Sequence, residues 1–115
     1  MIMKGENMNK TITLIAFSLA VAAGAPVLAA GKAEDGKAKS AACAGCHGPD
    51  GNSPAPSFPK LAGQHEDYLY HSLKDYKAGK RKNPIMAGQV ANLSDRDMQD
   101  LAAFFARQKG LNQKY

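Results

Sequence analysis

Strand-like patterning is missing from this sequence. No segment alternates apolar and polar residues with a period of two, and no internal repeat is visible. Cysteine is scarce: Cys43 and Cys46 are the only two, and they stand three positions apart. A disulfide between them would close a tiny loop and constrain little, although an exported protein permits one. A structural zinc site needs four ligands, commonly from two separated pairs. His65 and His71 are available for such a site, but a second cysteine pair is not. A thioredoxin-like thiol pair opens a helix inside a strand–helix–strand unit, and the strands for one are lacking. Basic residues are not interleaved with aromatics, so a nucleic-acid partner is not expected. The one long apolar run, from Thr11 to Ala23, is shorter than the ~20 residues of a spanning helix.

What is present begins with that run. Lys4 and Lys10 precede it, Gly24 and Pro26 break it, and Ala29 or Ala30 closes it with small residues. This is the layout of a secretory signal peptide covering residues 1–30, with cleavage after Ala29 or Ala30. A retained membrane anchor is the alternative. In either case residues 31–115 form one domain outside the cytoplasm, in the periplasm of a bacterial cell. Removing residues 1–30 takes away Lys4, Lys10 and Glu6, leaving 85 residues with thirteen basic against nine acidic, about +4. A domain so small buries little core and needs disulfides, a metal or a cofactor for stability.

Three helical segments are expected. The first, alanine-rich, runs from Asp35 to Ala42 and leads into Cys43. The second runs from Glu66 to Ala78, with Leu69, Ser72, Leu73 and Tyr76 as its inner stripe and Gly79 as its cap. The third runs from Asp95 to Gln108, with Ser94 and Asp97 as an approximate capping box. Met98, Leu101, Ala102 and Phe105 form its inward face. Two long loops, Gly48 to Ala62 and Lys80 to Asn92, separate the helices, and loops of such length in a small domain usually serve function.

Cys43-Ala44-Gly45-Cys46-His47 has the spacing Cys-x-x-Cys-His, the attachment pattern of a c-type haem. Two thiols must reach the two vinyl groups of a porphyrin, and the following histidine is then carried under the iron. Ala44 and Gly45 are small, which would let the ring lie close to the backbone. A second axial ligand must come from the opposite side. Met98 lies on the apolar face of the last helix and reads as core. Met86 lies in the Pro84 loop, where no helical face explains it, and it is the expected ligand. His65 and His71 compete for that position. His71 points away from the inner stripe, whereas His65 starts the second helix nearer the inner face.

Here the chain resembles the class I c-type cytochromes, of the bacterial single-domain kind similar to cytochrome c4, c5 and c553 domains. The matching residues are Cys43 to Gly48, Pro59-Lys60-Leu61-Ala62-Gly63-Gln64, Asn83-Pro84-Ile85-Met86-Ala87-Gly88, Asn92 to Asp95, and Asp100 to Phe105. The resemblance implies an all-α class I cytochrome c fold, with three main helices and two long loops packed around one covalent haem c. It implies His47 and Met86 as axial ligands of the iron. It implies that the Pro59 carbonyl accepts a hydrogen bond from His47 Nδ1–H. It also implies a crossing of the first and last helices at Gly36 and an aromatic of the Phe104-Phe105 pair, where the family pattern often has tyrosine.

A neutral histidine and a thioether would leave no open coordination position, which suits single-electron transfer between redox partner proteins and opposes substrate turnover. Lys74, Lys77, Lys80, Arg81 and Lys82 gather between the second helix and the Met86 loop. They form either a solvated face or a basic ring that steers acidic partners, membrane complexes among them. A haem-based enzyme or ligand sensor, and a dedicated cytochrome subunit of a larger redox complex, are the competing readings.

Overall fold

The computed structural model describes residues 31–112. The leader, with its two cleavage positions and its alternative as an anchor, lies outside these residues. Five helices follow one another: α1 (Ala33–Lys39), α2 (Ala41–His47), α3 (Glu66–Ala78), α4 (Pro84–Val90) and α5 (Asp95–Ala106). No strand occurs among the described residues. None of these helices is long and apolar enough to cross a membrane.

α5 is the hub: α1 and α3 both pack on it, and α4 packs on α3. Its start is secured by the expected capping box. Ser94 Oγ accepts from the Asp97 N–H at 3.0 Å, and Asp97 Oδ2 accepts from the Ser94 N–H at 2.9 Å. The anticipated inward face, Met98, Leu101, Ala102 and Phe105, is buried, but so are Asp100, Ala103 and Phe104. α5 is therefore enclosed over more of its circumference than a single apolar stripe would give, because α1 covers a second side. The helix ends at Ala106, two residues before the expected Gln108.

The α1–α5 crossing is as tight as backbones allow. A Cβ on Gly36 would lie 1.9 Å from the Asp100 carbonyl oxygen and 2.8 Å from Phe104 Cβ. Glycine is thus the only residue that fits, and Phe104 is the aromatic partner. Phe104 and Phe105 are both buried and meet edge to face at 5.0 Å between centroids. Around the crossing lies an ion-pair cluster that the sequence does not reveal. The buried Asp100 carboxylate accepts from the Lys32 N–H at 2.8 Å and from Lys39 Nζ at 2.7 Å. Lys39 also reaches Asp97 Oδ1 at 2.9 Å, and Arg96 Nε lies 3.3 Å from Asp100 Oδ1.

Two sequence expectations need correction. The first helix does not run unbroken from Asp35 to Ala42: it starts at Ala33, stops at Lys39, and a second helix carries the cysteine motif to His47. Ser40 makes the joint, its Oγ donating to the Lys37 carbonyl at 2.8 Å, the local competition by which serine interrupts helices. The segment from Lys80 to Asn92 is not simply a loop either. Asn83 Oδ1 accepts from the N–H groups of Ile85 and Met86 at 3.0 and 3.1 Å, with Pro84 in the first helical position. This N-cap and proline start α4.

Candidate cofactor site

α2 turns the spacing of the motif into a surface. Residues three and four apart share a helix face, so Cys43, Cys46 and His47 project together into a cavity of about 300 Å³. Ala44 and Gly45 face elsewhere: neither lines the cavity, and a Cβ on Gly45 would meet nothing within 4 Å. The expectation that their small size admits a ring is therefore not met; their positions on the helix keep them out of its way. Burial pushes the Cys43 thiol above its ordinary pKa, and the neighbouring Cys46 adds to the shift.

His47 is buried, and its Nδ1 lies 2.7 Å from the Pro59 carbonyl oxygen. A carbonyl only accepts, so Nδ1 carries the proton and Nε2 is left with a free lone pair. The loop that presents Pro59 is itself tied down. The N–H groups of Leu61 and Ala62 donate to the Gly51 carbonyl at 2.8 and 3.1 Å, and the Gly63 N–H donates to the Phe105 carbonyl at 3.0 Å. Gly51 has φ of +84°, and a Cβ there would meet both Ala62 N and Phe105 Cδ1 at 2.8 Å.

α3 and α4 line the same cavity. Leu69, Ser72, Leu73 and Tyr76, the predicted inner stripe of α3, all line the cavity, and α4 contributes Ile85 and Met86. Leu101, Ala102 and Phe105 of α5 close the floor. Met98 is buried in the packing of α5 and does not reach the cavity. His65, expected nearer the inner face, is exposed at the start of α3, and His71 is exposed as well; neither lines the cavity. Of the three histidines and the two described methionines, only His47 and Met86 are brought to this space. Two thiols, an imidazole and a thioether in one mostly apolar space fit a flat apolar group fastened through two sulfurs and ligated by nitrogen and sulfur.

The basic run divides. Lys77 Nζ donates to the Leu93 carbonyl. Lys74 Nζ lies 5.0 Å from the centroid of the Tyr70 ring. Arg81 lies over Tyr76, donates to Ser72 and lines the cavity. Lys80 and Lys82 are exposed.

A family model described as Cytochrome c matches residues 33–109. The chain is 52% identical over 102 residues to cytochrome c4 of Pseudomonas aeruginosa, covering 89% of this chain and 50% of that protein. It is 41% identical over 83 residues to cytochrome c-554(548) of Halomonas halodenitrificans, covering 70% of this chain and 100% of that protein. The crystal structure of reduced recombinant cytochrome c4 from Pseudomonas stutzeri superposes with a TM-score of 0.68 at 53% identity, covering 71% of this chain and 48% of that one. The chain thus spans about half the length of the cytochromes c4 that it matches.

Proposed function

The chain belongs to the cytochrome c family, and from that premise we propose that it is an exported carrier of single electrons with one covalent haem c in this domain. The observation that carries the proposal is the convergence of Cys43, Cys46, His47 and Met86 on one apolar cavity. When bound, haem supplies an iron that cycles between ferrous and ferric states. Cys43 and Cys46 hold the group through thioethers. His47 ligates through Nε2, and the Pro59 carbonyl holds its ring orientation and raises its basicity. Met86 ligates from α4. Its soft thioether favours ferrous iron and raises the reduction potential, and the apolar walls disfavour the extra ferric charge. His47 is held by α2 and the Pro59 carbonyl and Met86 by α4, so little of the protein would have to move when an electron entered or left.

Redox proteins with acidic surfaces are the partners this reading implies, met by the run Lys74, Lys77, Lys80, Arg81 and Lys82. The side chains of Lys80 and Lys82 make no hydrogen bond or ion pair among the described residues and are exposed, so theirs are the charges freest to steer them.

The test is a mass determination and a reduced-minus-oxidised optical spectrum on protein exported by cells competent in haem attachment. The expected result is the polypeptide plus one haem and the spectrum of a six-coordinate c-type centre. A colourless product without added mass would reject the proposal.

A further inference from the structure

Resting on the haem reading above, we propose that Asn52 and the segment after α5, Lys109 to Leu111, are positioning elements for the axial histidine. Together they set where the Pro59 carbonyl stands, and so how firmly it holds His47. Pro59 cannot fix itself. It has no N–H, Lys60 beside it is exposed, and its carbonyl takes its place from the anchored residues that follow, Leu61 and Ala62. The Ala62 peptide is gripped on both sides. Its N–H donates to the Gly51 carbonyl at 3.1 Å, and its carbonyl accepts from the Leu111 N–H at 2.7 Å. The chain leaving α5 therefore returns across the end of the Pro59 loop as a strap.

Asn52 joins the strap to the Gly51 side of this grip. Its N–H donates to Asp50 Oδ1 at 2.9 Å and its Nδ2 to Asp50 Oδ2 at 2.8 Å, which fixes the turn that aims the Gly51 carbonyl. Nδ2 also donates to the Lys109 carbonyl at 2.9 Å, 57 positions away. The fit leaves no slack. A Cβ on Gly110 would lie 2.5 Å from the Ala62 carbonyl oxygen and 2.9 Å from Asn52 Oδ1, and one on Gly63 would lie 2.6 Å from the Leu111 carbonyl oxygen. Two glycines, one in the strap and one in the loop, let the two backbones meet directly. None of Asn52, Gly63, Lys109, Gly110 and Leu111 lines the cavity. Their influence on the cofactor therefore passes through Pro59 and His47, and not through contact with the ring.

A firm hydrogen bond from Nδ1–H makes Nε2 the more basic ligand, and a more basic ligand favours ferric iron. A slack bond does the reverse. The experiment measures two quantities on the holoprotein: the midpoint potential, and the rate at which the His47 Nδ1–H of the reduced form exchanges with solvent, followed by NMR. In Asn52→Ala the potential should rise and the ring proton should exchange faster, by more than the loss of global stability accounts for. Gly110→Ala should move both in the same direction. Gly36→Ala, which loosens α1 against α5 without a change of charge, is the comparison and should lose stability at the wild-type potential. Wild-type potential and ring-proton exchange in folded Asn52→Ala, or an equal shift in Gly36→Ala, overturns the assignment while the haem reading stands. Should Asn52→Ala yield no folded holoprotein, Leu111→Pro decides, since it deletes the N–H that holds the Ala62 carbonyl. A raised potential with faster exchange supports the assignment there, and wild-type values reject it. Wild-type protein without haem would be the separate failure of the underlying reading, and would end this inference with it.

Discussion

At the scale of single residues, the two described methionines show how little a side chain's chemistry decides alone. Met86 and Met98 carry the same thioether, yet one lines the cavity and the other is buried in the packing of α5. Substituting Met86→Ala should leave the haem attached, because the thioethers are made by the cysteines, but it should lower the potential and open the iron to carbon monoxide. An unaltered potential and optical spectrum would remove Met86 from the ligand role. Gly36 is the second decisive residue. A methyl group there would run into the Asp100 carbonyl at 1.9 Å, and a backbone oxygen cannot swing away as a side-chain end can. Gly36→Ala should therefore push α1 off α5 and cost on the order of 1–3 kcal/mol, as overpacking does. A denaturation midpoint equal to that of wild type would show that the crossing has slack.

Between elements, the α1–α5 joint is electrostatic as well as steric. Asp97 is held down to about 2, chiefly by the hydrogen bond from Lys39 and then by Ser94. Burial of Asp100 acts to raise its pKa, but hydrogen bonds from Lys39 and the Lys32 N–H outweigh it, and the carboxyl ends below its ordinary value. Lys39 is raised by Asp100 first and Asp97 second. Both carboxyls are more acidic folded than unfolded, so their contribution to stability is complete above the ordinary carboxylate range. It drains away as the pH falls from about 4 towards about 2. The contribution of Lys39 has the opposite sense: it is complete below its ordinary value of 10.5 and is lost as the pH climbs beyond that through the raised folded value. Urea midpoints should accordingly be level near neutrality and fall in acid. Asp97→Asn should show a shallower acid decline with a lower starting midpoint. An acid decline as steep in that variant as in wild type would exclude Asp97 from the joint.

For the molecule as a whole, the cavity lies where a core would otherwise be. α2, α3, α4, α5 and the Pro59 loop all line it, and the protein-only cluster is small: Leu69, Leu101, Ala102, Phe104 and Phe105. A domain of this size is marginal on its own apolar burial, and a large flat apolar group would complete the core. The chain made without attached haem, as in a Cys43→Ser/Cys46→Ser double variant, should be largely unfolded by circular dichroism at room temperature. Native helical signal and cooperative melting in that variant would show that the polypeptide stabilises itself.

Much of this was legible in the primary structure because it depends on local spacing. The thiol pair and its histidine, the capping box at Ser94, the stripe of α3 and the turn at Gly79 each need only neighbours within a few positions. α4 was missed: its segment reads as a loop, because a helix of seven residues is too short for periodicity to reveal. The signal that could have found it is Asn83 before Pro84. The cluster at Asp100 was not legible, since its partners Lys32 and Lys39 lie 68 and 61 positions away and nothing local marks a buried aspartate. Nor was the division of the basic run, which follows from where α3 and the start of α5 bring Tyr70, Tyr76 and Leu93. The order of residues determined which groups share a helix face, because 3.6 residues per turn is a local rule. Folding decided which of those faces meet around the cavity, because that depends on long-range packing, and at Gly36 on the absence of a single methyl group.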